Sequence, residues 1–107
     1  MNDVYIIGLG MLRFGKYLDR DVRDMAHEAT RLALDDAGLE KTDLQAAFFS
    51  NTFWGMFANQ HSIRGQVILR SMGIEAIPVT NVENACAGAS TALHLATTGI
   101  RAGMFDV

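Results

Sequence analysis

Residues 4–7, Val-Tyr-Ile-Ile, are a β-branched and aromatic run that stops at Gly8, the pattern of a short buried strand. Residues 21–37 behave differently. Val22, Met25, Ala26, Ala29, Ala33 and Ala37 recur in steps of three and four and form one helical stripe. Asp19 or Asp21 can cap the start of that helix, and Gly38 with Leu39 reads as a left-handed stop with its hydrophobic contact. Residues 44–49 predict a second strand, 51–60 a polar and aromatic loop, and 62–72 a helix closed by Gly73. A third strand follows over 77–82, with Pro78 near its start, where a missing N–H is tolerated. Residues 84–100 contain no Asp, Glu, Lys or Arg and predict a helix. Residues 105–107 read as the opening of a fourth strand.

Strand and helix therefore alternate, which predicts an α/β layered architecture without internal repeat or linker. The first helix carries charge on one side and belongs at the surface. The helix over 85–100 avoids charge all round, which predicts burial on every side. A chain of 107 residues can hardly supply the layers for that, so more of the fold is expected than these residues provide.

Composition narrows the functional classes. The formal net charge is -3 and there is no basic stripe, which argues against nucleic acid and anionic membrane as partners. The charge-free stretch is too polar and too short to span a bilayer, and the N-terminal apolar run is too short for a signal peptide. A lone cysteine forms no internal disulfide. The expectation is a soluble protein of a reducing, cytoplasmic compartment.

Gly8-Leu9-Gly10 follows a strand, but the third glycine of a dinucleotide fingerprint would fall at Arg13, and no helix starts there. Cys86 is more informative. A lone cysteine is ordinarily a packed core residue. This one stands where a strand passes into a helix, beside unpaired N–H groups and the positive end of a helix dipole, which favour a thiolate and an oxyanion. Its neighbours Ala85, Ala87, Gly88 and Ala89 are small and leave room for a substrate. His27, His61 and His94 read as structural, with no partner at the spacing a base or a metal site needs, and no metal site is expected. The aromatic residues Phe48, Phe49, Phe53, Trp54 and Phe57 read as core or as a contact surface for a second subunit.

Gly65-Gln66, Met72-Gly73, Ile77-Pro78, Asn81-Val82, Asn84, Cys86-Ala87 and Ser90-Thr91-Ala92-Leu93 together resemble the thiolase superfamily. Ile7-Gly8-Leu9-Gly10-Met11 and Phe14-Gly15-Lys16 are similar to the start of its sterol-carrier-protein branch. The resemblance covers the whole chain as an incomplete N-terminal subdomain, residues 1–107. It implies the layered α/β/α/β/α thiolase-like fold, with the helix after Cys86 lying between sheets. It further implies that Cys86 is the catalytic nucleophile, carrying an acyl group from an acyl-CoA as a thioester. Coenzyme A would be a substrate and no cofactor would be bound. The partners implied are acyl-CoA substrates and a homodimer or higher homo-oligomer, with residues 77–82 pairing with their copy about a two-fold axis.

The family's remaining acid–base residues lie in its second half, in Gly-His-Pro and Cys-x-Gly type segments; this sequence has no Gly-His-Pro and no second cysteine, so the carry-over stops at Cys86. The order Ala87-Gly88-Ala89-Ser90 departs from the commoner one, in which Gly directly precedes Ser, and keeps the small size. The leading expectation is an acyl-CoA C-acyltransferase, cleaving 3-oxoacyl-CoA or condensing acyl-CoAs. The alternatives are a thiolase-like aldolase or synthase, and a non-catalytic truncated subunit that binds a partner.

Overall fold

The computed structural model describes residues 2–107. Helix α1 spans Val22–Ala37. The Asp21 side chain accepts from the Asp24 N–H at its start, and Gly38, at φ 68°, ends it in the left-handed region. The Leu39 N–H returns to the Leu34 carbonyl at 3.0 Å, completing the predicted stop. All six residues of the predicted stripe are half-buried. A single 3₁₀ turn, Lys41–Asp43, leads to strand β1, Ala47–Phe49. Helices α2, Trp54–Ala58, and α3, Arg64–Ser71, make the crossover to strand β2, Val79–Asn81. A second 3₁₀ turn, Ala85–Ala87, runs into helix α4, Gly88–Arg101.

The strands are parallel, with Ala47 opposite Val79, Phe48 opposite Thr80 and Phe49 opposite Asn81. Successive strand residues face opposite ways. The odd-numbered face meets α3, because Gly65 lies against Phe49, Val79 and Asn81. The even-numbered face meets α4, where Phe48 and Thr80 line a cavity of about 390 Å³ with Leu95, Thr98 and Gly99. Helix α1 packs on α3. The result is a helix–sheet–helix sandwich with α1 packed against α3, an α/β layering as the alternation predicted. The apolar core is Trp54, Ile68, Leu69, Ile74 and Ala92. Ile68, at 2 % exposure, contributes about 2–3 kcal/mol by burial.

Three expectations need correction. Residues 4–7 join no ladder among the described residues, and Tyr5, Ile6 and Ile7 are exposed. Strand propensity needs a neighbouring strand to pair with, and this segment instead lies along α1, where the Leu9 N–H donates to Asp36 Oδ2 at 2.9 Å. Residues 105–107 form no ladder either, although the Gln45 N–H donates to the Val107 carbonyl at 2.9 Å. The predicted loop contains α2. Asn51 Oδ1 accepts from the Trp54 N–H at 2.8 Å, Trp54 is buried, and Asn59 closes the helix at φ 57°. Helix α4 is covered on part of its surface only among the described residues, in line with the expectation that 107 residues cannot supply every layer around it. Gly88, Ala92 and Gly99 are buried, but Leu93 is 54 % exposed. Absence of charge reports what a helix face tolerates, and what covers it depends on neighbouring chain.

Candidate active site

Both strands deliver their chain to the same end of the sheet, as parallel strands must. Past β1 come Ser50, Asn51 and Thr52. Past β2 come Val82, whose N–H donates to the Phe49 carbonyl at 2.7 Å, then Glu83 and Asn84. The carboxyl ends of parallel strands are where α/β proteins place ligand sites. Cys86 lies there, exposed, in the turn that opens α4.

The turn is built from local residues and one distant one. Ala85 sits at φ 45°, in the left-handed region unusual for a residue with a Cβ. Its N–H donates to Glu83 Oε2 at 2.7 Å. Its carbonyl accepts from Thr52 Oγ1 at 2.9 Å and from the Gly88 N–H. The Ala87 N–H donates to the Asn84 carbonyl at 2.9 Å, and the Asn84 side chain donates to Thr91 Oγ1 at 2.9 Å. The Cys86 N–H has no acceptor among the described residues, and no side chain caps α4. A thiol and a free backbone donor therefore occupy one residue.

Gly88 is buried against Ser50, and a Cβ there would fall 3.0 Å from Ser50 Cβ and closer still to its hydroxyl oxygen. The small size read around Cys86 thus has, at Gly88, a packing cause. An open groove of about 730 Å³ ends on Ser50 and Asn51, bounded elsewhere by Gly10, Phe14, Tyr17 and Met25. Cys86 does not line it.

The histidines stand apart from Cys86. His27 on α1 has its Nε2 2.7 Å from Ser71 Oγ. His61 precedes α3, with its ring beside Gly55 and Arg64. His94 is exposed on α4. None is hydrogen-bonded to Cys86 among the described residues. Gly8 and Gly10 support no phosphate reading. A Cβ on Gly8 would lie 2.7 Å from Ala37 Cβ, and one on Gly10 2.7 Å from the Ala33 nitrogen, so these glycines admit α1. The aromatic residues divide. Phe49 meets Trp54 edge-on at 6.5 Å and Phe48 meets Phe105 at 5.9 Å, whereas Phe53 and Phe57 face outward.

Sequence reading missed Thr52, Glu83 and Ser50. Thr52 and Ser50 are ordinary polar loop residues until the sheet brings them to the turn. A carboxylate two residues before the small-residue turn was the one local signal available.

The model of the thiolase N-terminal domain matches residues 4–107. The chain belongs to the thiolase family. This thiolase-family chain is 37% identical over 107 residues to the acetyl-CoA acetyltransferase of Methanothermobacter thermautotrophicus, covering 100% of itself and 28% of that protein. It is 35% identical over 106 residues to sterol carrier protein 2 of Homo sapiens, covering 96% of itself and 18% of that protein. Among solved structures, 3-oxoacyl-[acyl-carrier-protein] synthase III from Aquifex aeolicus VF5 superposes with a TM-score of 0.67 at 21% identity, over 79% of this chain and 27% of that one. That likeness is one of fold, and the fold is thiolase-like α/β. The chain spans less than a third of the length of these relatives. No helix among the described residues is long and apolar enough to cross a membrane.

Proposed function

We propose that the chain is the N-terminal part of a thiolase-type acyl-CoA C-acyltransferase in which Cys86 is the nucleophile. The observation that carries this is the exposed Cys86 thiol at the carboxyl ends of the parallel strands, on a residue whose own N–H is free. Cys86 Sγ, as thiolate, bonds to the carbonyl carbon of an acyl-CoA. The Cys86 N–H donates to the developing oxyanion. The bond from that carbon to the coenzyme A sulfur then breaks, and the coenzyme A thiolate leaves and takes up a proton. His27, His61 and His94 receive no role, because none is hydrogen-bonded to Cys86 among the described residues. The relatives named as an acetyl-CoA acetyltransferase and as sterol carrier protein 2 support the acyl-CoA class.

Residues 1–107 alone are expected to be inactive, so the test is incubation of the whole protein with acetyl-CoA followed by peptide mass spectrometry. The acetyl group is expected on Cys86, and Cys86→Ser lowers turnover by orders of magnitude with folding unchanged, since a hydroxyl is hardly ionised near neutral pH. An unmodified Cys86, or Cys86→Ser turning over at a comparable rate, removes the mechanism.

The proposal extends to a homodimer. Among the described residues β2 pairs with β1 along one edge only; on its second edge the Val79 carbonyl accepts from Gln66 Nε2 at 3.5 Å, and the remaining backbone groups are open to a copy of the strand across a two-fold axis. Sedimentation as a monomer at micromolar concentration refutes that pairing.

A further inference from the structure

We propose that Thr52 and Glu83 are positioning residues for Cys86, a strap that holds Ala85 left-handed and so aims the thiol. The inference rests on the nucleophile reading above. Ala85 immediately precedes Cys86, so its φ and ψ set the direction in which the Cys86 side chain and N–H leave the sheet. At φ 45° a residue with a Cβ is strained, and it stays there only where its surroundings hold it.

The hold is visible on both sides of the residue. The Ala85 N–H is taken by Glu83 Oε2 at 2.7 Å and its carbonyl by Thr52 Oγ1 at 2.9 Å. The bond to Glu83 is charge-assisted and comes from two residues back along the chain. Thr52 comes from the far side of the crossover, 33 residues away, and is half-buried. It therefore ties the turn after β2 to the loop after β1. The Gly88 N–H shares the same carbonyl, so the first helical turn of α4 hangs from the strapped residue. Local hydrogen bonding alone supplies no reason for a threonine at the exit of β1. Its hydroxyl reaches the one backbone unit whose conformation decides where Cys86 points.

Glycine adopts the left-handed region without penalty, whereas alanine does not. This separates aiming from general loss of structure. The measurement is single-turnover acylation of Cys86 in the whole protein over a range of acetyl-CoA concentrations. Thr52→Val keeps the side-chain shape and removes the donor. It lowers the limiting rate about fivefold to tenfold, the size of one hydrogen bond, and leaves half-saturation within about twofold. Thr52→Ser restores the rate. Glu83→Gln keeps an acceptor and retains most of the rate, while Glu83→Ala loses it as Thr52→Val does. Adding Ala85→Gly to Thr52→Val recovers most of the loss, because the strain the strap opposes is gone. A limiting rate unchanged by Thr52→Val overturns the proposal, as does a deficit that Ala85→Gly leaves in place. Iodoacetamide alkylation of Cys86 reads the strap separately from acyl transfer, with the rate falling in Thr52→Val and recovering in the double variant. Should the unaltered protein accept no acetyl group, the nucleophile reading falls, and alkylation still decides the strap: equal rates in all three proteins overturn it.

Discussion

Gly65→Ala adds one methyl group where α3 meets the sheet. By helix propensity alone the change would stabilise by up to about 1 kcal/mol. The packing opposes it. The new Cβ would lie 2.7 Å from Val79 Cγ1, 2.8 Å from Phe49 Cβ and 2.9 Å from Asn81 Oδ1, each about 1 Å inside ordinary contact. None of these atoms yields easily. Phe49 Cβ is fixed to β1, and Asn81 Oδ1 is held by the Gly65 N–H at 2.6 Å while its Nδ2 donates to Gln66 Oε1. Helix α3 must back away from both strands, stretching that hydrogen bond and loosening the helix that carries the buried Ile68 and Leu69. Overpacking costs about 1–3 kcal/mol and the weakened hydrogen bond about 1 kcal/mol. Set against the propensity gain, the net loss is about 2 kcal/mol. Urea unfolding followed by far-ultraviolet circular dichroism measures it as a lower midpoint at unchanged slope. A midpoint equal to that of the parent, or higher, would show that the helix–sheet gap is wider than described and would refute the argument.

Three more outcomes are expected. Gly88→Ala destabilises through Ser50, whose Cβ would sit 3.0 Å from the new methyl, and Ser50→Gly in the same protein restores the thermal midpoint; a double variant no better than Gly88→Ala contradicts this contact. The Asp21 carboxyl is held below the usual carboxylate range, chiefly by accepting the Asp24 N–H, with the Arg23 charge assisting. Its contribution to α1 is therefore present above the unfolded-state pKa and lost as pH falls through the lowered folded one. Asp21→Asn keeps the acceptor and should remove that part of the acid sensitivity in a pH titration of helicity, and an unchanged profile counts against the cap. Residues 1–107 expressed alone bind a hydrophobic dye and self-associate, because Phe14, Leu18 and Phe57 are 90 %, 85 % and 83 % exposed; a monodisperse monomer without dye fluorescence goes against this.

Features whose causes span a few residues were legible in the sequence. The stripe and stop of α1, the helical character after Asn84 and the placement of Cys86 at a strand-to-helix junction all follow from periodicity, capping chemistry and the contrast of small with β-branched residues. Those forces act within a turn or two of helix, so a single sequence contains them. What needed the tertiary structure was pairing and cover. Residues 4–7 have strand composition and join no ladder among the described residues, and the charge-free α4 has one face on the sheet and another exposed. The aromatic residues 48–57 divide between interior and surface according to which side of β1 and α2 each occupies. At the site, Thr52 and Ser50 became part of the Cys86 turn only because parallel pairing of β1 with β2 brings both strand exits to one end. A hydroxyl 33 residues from the carbonyl it holds leaves no periodic or local trace, since its energy arises only once the sheet has closed that distance.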